Sequence, residues 1–311
     1  MSSDFTVPST ADLDAWYESL RNWGRWGADD ERGALNHLTP ERRAAGAALV
    51  RDGTTVSLAR DLATDPSPEN PQPVHHHMLA SGDARDSNGI DGYEAARDYL
   101  GLDIHGLTTT HVDALSHMFV RGEMYGGRPA SDVRSDGARS NTVMAMADGV
   151  VGRGVLLDVP RALGVDFLDQ GQVVTVADLE AAEAAQHVRV GPGDILLIAW
   201  GRDVRRAAKG AFDGMSGLHP ECLPWLHERE VAVLGSDGIS DPMPFLGIED
   251  WPFPVHQIGI TGMGLHLVDN MELTRLAAAC AAADRWEFLF TMAPLRIARG
   301  TGCPVNPVAV L

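Results

Sequence analysis

Three histidines and one aspartate lie within a single short stretch, residues 105–117. The threonines and the valine of this stretch are β-branched, which favours an extended backbone whose alternate side chains share one face. The residues expected on that face are His105, Leu107, Thr109, His111 and Asp113. Imidazole nitrogen and carboxylate oxygen suit zinc, manganese or iron, so the stretch predicts half of a divalent-metal site. His117 follows as a further ligand or as a proton carrier.

A structural role is the alternative for these side chains. A single histidine is more often a hydrogen-bonded structural residue than a ligand, and threonine-rich strands commonly carry one. However, burying three such groups without partners costs several kcal/mol. That cost favours the functional interpretation.

Residues 105–117 resemble the signature of the metal-dependent cyclase family, of the bacterial kynurenine formamidase and isatin hydrolase type. The signature reads His-x-Gly-Thr-His-x-Asp-x-Pro-x-His. The resemblance implies that His111 and Asp113 are metal ligands and that His117 is the general acid/base. Two positions depart from the signature, because Leu107 stands at the first metal histidine and Thr109 at the glycine. Leucine cannot ligate a metal, and His105, which is expected on the same face of the strand, is an alternative source of the lost ligand.

A second segment resembles the other metal-binding part of the same family. Residues 255–260 predict a strand that carries His256, and residues 272–285 predict a helix beyond a carboxylate–Asn pair. The resemblance implies that His256 and Asp269 are the remaining metal ligands. Asp269 stands where the family has glutamate, which is one methylene longer.

The resemblance covers residues 26–307 and implies an α/β fold, the swivelling β/β/α domain, usually in a homodimer or higher homo-oligomer. Strand and helix signals alternate along the chain, which independently favours an α/β architecture. Helices are predicted over residues 11–23, 39–50 and 175–186, and strands over residues 154–159, 195–200 and 231–234. We expect residues 1–311 to form one catalytic domain, with residues 1–52 as a helical segment that packs on it.

Four further side chains are candidates for binding a substrate, namely Trp26, His77, His105 and Asp237. Trp26 lies in a glycine-rich, acidic loop, and Asp237 follows a buried strand, where α/β proteins concentrate site residues. Three of them have a structural alternative: packing for Trp26, a surface or packing position for His77 and an Asx turn for Asp237. The polar, glycine-rich residues 81–92 predict a mobile loop near the mouth of a site.

Composition narrows the class of partner. The 311 residues carry a formal net charge of −18, which disfavours nucleic acids and anionic membranes because both are bound through basic patches. The three widely spaced cysteines predict neither disulfides nor a cysteine zinc site. The chain starts without a secretory signal and contains no long apolar run, so we expect a cytoplasmic protein that binds a small molecule.

These observations lead to a main functional hypothesis and two alternatives. The main hypothesis is a metal-dependent hydrolase, using manganese or zinc, that opens an amide, formamide, cyclic amide or lactone bond. Since Leu107 removes one family ligand, a metal-free cyclase, dehydratase or isomerase using His117 with His105, His77 or Asp237 is the second. The third is a binding protein whose site no longer catalyses a reaction.

Overall fold

The computed structural model describes residues 5–86, 89–210 and 214–311. Its helices are α1 (Thr10–Ser19), α2 (Pro40–Ala47), α3 (Val159–Leu163), α4 (Val176–Ala185), α5 (Arg202–Lys209), α6 (Cys222–Glu228), α7 (Pro254–His256) and α8 (Thr274–Ala283). Its strands are β1 (Thr55–Ser57), β2 (His75–Ala80), β3 (Arg97–Gly101), β4 (His111–Asp113), β5 (Glu123–Met124), β6 (Arg128–Pro129), β7 (Val133–Arg134), β8 (Gly137–Ala138), β9 (Val150–Asp158), β10 (Val173–Val174), β11 (Ile195–Ala199), β12 (Gly217–Leu218), β13 (Val233–Ser236), β14 (His266–Asp269), β15 (Glu287–Met292), β16 (Gly302–Pro304) and β17 (Val308–Val310).

One mixed sheet organises the molecule. Within the described part of the chain it has nine strands in the order β1-β17-β15-β9-β11-β13-β14-β4-β16. The central strands β9, β11, β13 and β14 are parallel, and antiparallel strands flank them on both sides. The central strands are short apolar runs because helices and loops cover both of their faces. The predicted α/β class is confirmed.

The core forms two apolar layers, one on each face of the sheet. Leu157, Ile198 and Leu234 belong to one buried cluster, whereas their chain neighbours Leu156 and Leu197 belong to the other. Successive side chains of a strand point to opposite faces, which explains the division. The apolar runs of β9 and β11 therefore supply both layers at once.

Local signals set the ends of several helices. Thr175 and Asp178 form a reciprocal capping box at the start of α4, and Ser9 and Asp12 do the same for α1. Thr39 caps α2, which begins with Pro40. The predicted helices over residues 11–23, 39–50 and 175–186 are confirmed, with ends that differ by a few residues.

Two predictions about the backbone of the site segments are wrong. Residues 104–109 form a series of bends, so β4 contains only His111–Asp113. Residues 255–260 are helical, because α7 runs directly into a π-helix, Gln257–Met263. Asp241 accepts hydrogen bonds from the backbone N–H groups of Val255 and His256, at 2.9 and 3.1 Å. This contact from a distant loop stabilises the first helical turn and overrides the local strand preference.

The N-terminal segment packs beside that π-helix. The Asn22 side chain donates to the Met263 carbonyl at 2.9 Å, and the Trp23 indole donates to the Thr261 carbonyl at 2.7 Å. The hairpin of β2 and β3 stands apart from the main sheet with most of its side chains exposed. The predicted loop over residues 81–92 borders this hairpin, and its residues 87–88 lie outside the described residues. The expected homo-oligomer stays a prediction.

Within the described ranges, no helix combines the length and the apolar character needed to cross a membrane.

Candidate active site

The pairing of β4 with β14 brings the first candidate ligands together. The two strands are antiparallel, and His111 lies directly opposite Asp269 in the register. Directly paired residues of antiparallel strands point to the same face, so the imidazole and the carboxylate meet there. Asp113, two residues along β4, shares that face, and all three side chains are buried.

His256 reaches the same place from α7. Its Nε2 lies 3.2 Å from Asp269 Oδ2 and 3.7 Å from Asp113 Oδ2. Its Nδ1 lies 2.7 Å from Asp241 Oδ2, which orients the ring. The sequence predicted His256 on a strand, whereas in the structure His256 lies in the first turn of a helix.

His105 also joins the cluster, although its segment is bent and not extended. Its Nδ1 lies 2.9 Å from Asp113 Oδ1, and its Nε2 lies 3.2 Å from Thr301 Oγ1. The His105 ring stacks on the His117 ring with centroids 3.8 Å apart and meets the His111 ring edge-on at 5.3 Å. The tertiary fold therefore gathers all three histidines of residues 105–117 around Asp113.

The described side chains form two groups with metal-ligand spacing, and the groups share Asp113. One contains His105, His111 and Asp113, and the other contains Asp113, His256 and Asp269. We call them the first triad and the second triad. The four ligands predicted from sequence are thus divided between two triads.

The donor set of both triads fits a divalent metal. Ligands that bind a metal at about 2.0–2.2 Å lie roughly 3.0–3.5 Å from one another. Asp113 Oδ1 is 3.5 Å from His111 Nε2, and His256 Nε2 is 3.2 Å from Asp269 Oδ2. Two buried carboxylate oxygens, Asp113 Oδ2 and Asp269 Oδ1, have no hydrogen-bond partner among the described residues. Buried oxygens of this kind need a positive partner, and a bound cation supplies one.

Electrostatics in the cluster also favour positive charge. Burial alone would lower the pKa of His256, but the carboxylates of Asp269 and Asp241 outweigh burial and raise it well above the ordinary range. Burial alone would raise the pKa of Asp113, yet His117, His105 and His111 together hold it below the usual range. Asp113 therefore stays ionised, as a metal ligand must.

His117 borders the cluster and is partly exposed. Its Nε2 lies 3.9 Å from Asp113 Oδ1, and about a quarter of its side chain is exposed. Burial lowers the pKa of His117 to about 4, despite the opposing effect of Asp113. The imidazole is therefore neutral near pH 7 and able to accept a proton. The predicted catalytic role of His117 stays a prediction.

The remaining candidates lie elsewhere. The Trp26 ring contacts His37 edge-on at 5.1 Å, in the loop that follows α1. His77 lies exposed on β2 and contacts the Tyr99 ring at 4.9 Å. These ring contacts join Trp26 and His77 to residues outside the two triads. The substrate-binding roles of both side chains stay predictions.

Asp237 is buried, and its carboxylate oxygens accept hydrogen bonds from backbone N–H groups. Its carboxylate accepts hydrogen bonds from the N–H groups of Trp200, Gly201 and Arg202 at 2.8, 3.0 and 3.0 Å. Burial raises its pKa to about 6, while those backbone donors lower it. The Asp237 carboxylate therefore holds the start of α5 through partners 35 to 37 residues away, and not through the local Asx turn stated as its alternative. Its predicted substrate-binding role stays a prediction.

Three groups that were not among the predicted site residues support the ligands: Asp241, Asn270 and Thr301. Asp241 bonds His256, and Thr301 bonds His105. The Asn270 side chain donates to the carbonyls of Gly106 and Thr109, at 2.7 and 3.2 Å. Asn270 belongs to the carboxylate–Asn pair of the second family-like segment, but the sequence offered no signal for what each of the three side chains contacts.

Comparison with known proteins identifies the family. A family model described as putative cyclase matches residues 4–241. The chain belongs to the putative cyclase family. A crystal structure described as a novel cyclase is 34% identical, covers 94% of this chain and 100% of its own chain, and superposes with a TM-score of 0.83. The predicted cyclase-type fold is confirmed.

Relatives of this cyclase-family chain include isatin hydrolases. Isatin hydrolase from Roseibium aggregatum is 26% identical over 252 residues, which is 78% of this chain and 83% of that protein. A structure of an isatin hydrolase bound to the product analogue thioisatinate shares the fold at 19% identity, with a TM-score of 0.60 over 88% of this chain and 99% of that chain. Isatin hydrolase A from Ralstonia solanacearum shares it at 21% identity, with a TM-score of 0.57 over 86% and 94% of the two chains.

Proposed function

We propose that this cyclase-family protein is a metal-dependent hydrolase that opens an amide, formamide, cyclic amide or lactone bond in a small metabolite. The observation that carries the proposal is the pair of triads that share Asp113, in which every member except the partly exposed His105 is buried. The relationship to isatin hydrolase supports the cyclic-amide class, because isatin is itself a cyclic amide.

His111, Asp113, His256 and Asp269 are the proposed metal ligands, and imidazole and carboxylate donors suit manganese or zinc. When bound, a divalent ion supplies Lewis acidity toward the substrate carbonyl and toward water. Asp241 accepts from His256 Nδ1 at 2.7 Å and leaves Nε2 pointing at the two candidate carboxylates. Such an outer partner fixes the tautomer and the orientation of a ligating imidazole.

His117 is the proposed general base and acid. As water adds to the carbonyl carbon, its neutral imidazole accepts the proton that water loses. When the carbon–nitrogen or carbon–oxygen bond breaks, the imidazolium gives that proton to the leaving atom. The parallel ring of His105, 3.8 Å away, keeps the His117 ring in place during both transfers. A group that carries a proton in this way contributes roughly 10²–10⁴-fold to rate.

The test combines metal analysis with turnover of N-formyl aromatics, isatin-like cyclic amides and lactones. We expect bound metal, loss of turnover on chelation and recovery on adding manganese or zinc. His117→Asn is expected to keep metal and fold while turnover falls at least about a hundredfold. His187→Asn is the matched control, because His187 is exposed and lies after α4. Purified protein that holds no metal and whose turnover resists chelator would refute the proposal.

Leu107 favours a second candidate function, since it removes the first ligand of the family signature. In that case His117 and the hydrogen-bonded pair of His105 and Asp113 would act as acid and base without metal, in a cyclase, dehydratase or isomerase. Turnover that survives complete removal of metal would favour this candidate. A protein that binds but does not react any member of the substrate panel would instead support a purely binding role.

A further inference from the structure

We infer that His105 is a metal ligand in this chain and supplies the imidazole that the family signature places at residue 107. The inference rests on the proposed function, because it assigns one more ligand to the cluster of two triads proposed there to hold metal. It makes the first triad a complete three-donor site, consisting of His105, His111 and Asp113.

The first argument is the position of the ring. His105 Nδ1 lies 2.9 Å from Asp113 Oδ1, and His111 Nε2 lies 3.5 Å from the same oxygen. These separations are close to those between neighbouring ligands of one metal ion, which are roughly 3.0–3.5 Å. The carboxylate and the two imidazoles therefore surround a common point.

The second argument is the partner of the opposite ring nitrogen. Metal-ligating histidines almost always donate their other N–H to an oxygen nearby. His111 does so through Nδ1 to the Thr109 carbonyl at 2.9 Å, and His256 does so through Nδ1 to Asp241 at 2.7 Å. His105 follows the same pattern, with Nε2 3.2 Å from Thr301 Oγ1. Each of these imidazoles thus turns its other nitrogen toward Asp113.

The third argument is the space reserved for the ring. Gly302 on β16 pairs with Asp113 on β4. A Cβ atom at residue 302 would lie 2.5 Å from His105 Cε1 and 3.0 Å from Nε2, far inside van der Waals contact. The strand beside Asp113 therefore lacks a side chain at the position where the His105 ring lies.

Leu107 makes contacts outside the two triads. The Leu107 carbonyl accepts a hydrogen bond from Arg202 Nη2 at 2.6 Å, and its neighbours are bent and not extended. Leu107 also borders a cavity lined by Arg60, Glu69 and Arg202. An extended strand would have placed residues 105 and 107 on one face, whereas the bends bring residue 105 back to Asp113.

The competing explanation is that His105 only orients Asp113, by donating a hydrogen bond from Nδ1 to Oδ1. The two roles differ in which substituted side chain can take the place of the His105 ring. An orienting role needs a hydrogen-bond donor, whereas a ligand role needs an imidazole nitrogen. His105→Ala removes both, and His105→Asn keeps a side-chain donor without the imidazole. About a quarter of the His105 side chain is exposed, so both changes are compatible with folding.

The experiment measures zinc in the metal-stripped and reloaded protein. Calorimetric titration gives the number of sites and their affinities, and X-ray absorption gives the number of imidazoles per zinc. In both His105 variants we expect the affinity for one zinc equivalent to fall. The fall should exceed the roughly 10–100-fold that loss of an outer hydrogen-bond partner costs. The imidazole count should fall as well. Thr301→Val should lower the affinity for the same zinc equivalent by an amount within that roughly 10–100-fold range. His117→Asn should leave the zinc affinity unchanged.

The outcomes separate this inference from the proposed function. Wild-type protein that binds zinc, together with a His105→Ala or His105→Asn variant of equal affinity and equal imidazole count, overturns the inference and leaves the proposed function standing. Wild-type protein that binds no zinc or manganese refutes both. Loss of zinc in both variants, with His117→Asn unaffected, assigns His105 to the metal.

Discussion

Asn270 joins the two halves of the site, and its replacement tests the structure most directly. It follows Asp269 on the chain, is fully buried and has a left-handed backbone, with φ of 56°. Its side-chain nitrogen donates to the carbonyls of Gly106 and Thr109, and its oxygen accepts from Arg202 at 2.7 Å. One amide therefore connects the end of β14 to the bent segment between His105 and β4.

The expected cost of Asn270→Ala follows from these contacts. Two neutral hydrogen bonds contribute about 1 kcal/mol each, and the one from the Arg202 guanidinium contributes about 2 kcal/mol. A left-handed backbone costs an alanine roughly a further 1 kcal/mol, whereas asparagine and glycine tolerate it. The free energy of unfolding should therefore fall by about 5 kcal/mol, which is exceptional for one substitution.

Asn270→Gly is the matched control, because it loses the same three hydrogen bonds without the backbone strain. Urea denaturation of metal-stripped protein gives the free energy of unfolding of both variants and of the wild type. We expect the glycine variant to lose about 4 kcal/mol and to be more stable than the alanine variant. An alanine variant within about 1 kcal/mol of wild type would refute the reasoning. A glycine variant less stable than the alanine variant would refute the assigned backbone strain.

Three further predictions concern pH, an outer partner and the missing ligand. Burial lowers the pKa of His37 to about 4 from the ordinary 6.5, so the unfolded chain binds more protons between these values. His37 should contribute at most about 3 kcal/mol to the fall in stability as pH drops from 6.5 toward 4, and His37→Gln should remove that contribution in urea titrations. Asp241→Asn should lower zinc affinity by roughly 10–100-fold in calorimetry, because the Asp241 carboxylate orients His256; unchanged affinity would exclude that role. Leu107→His should leave zinc affinity unchanged, since Arg202 holds the residue 107 backbone by its carbonyl; tighter binding would show that residue 107 reaches the metal.

The sequence by itself determined the features that depend on neighbours along the chain. His111, Asp113 and His117 are so close in sequence that short-range geometry brings them together in any fold that keeps β4 extended. Thr175 and Asp178 fixed the start of α4 in the same way, because a capping box is made within one turn. The apolar runs of β9 and β11 predicted buried central strands for the same local reason.

The tertiary structure decided which of these groups meet. His256 lies on a helix and not on the expected strand, because Asp241, in a loop 14 to 15 residues earlier, accepts hydrogen bonds from the first turn of α7. The register of β4 against β14 puts Asp269 opposite His111, and no local pattern sets the register of two strands joined by a long connection.

The position of the His105 ring also depends on long-range contacts. A regular strand would have aligned residues 105 and 107, but hydrogen bonds from Asn270 and Arg202 take the carbonyls of residues 106, 107 and 109 and hold the segment in bends. Gly302 then leaves room for the ring beside Asp113. These contacts join residues more than one hundred positions apart in most cases, so only the folded chain supplies them.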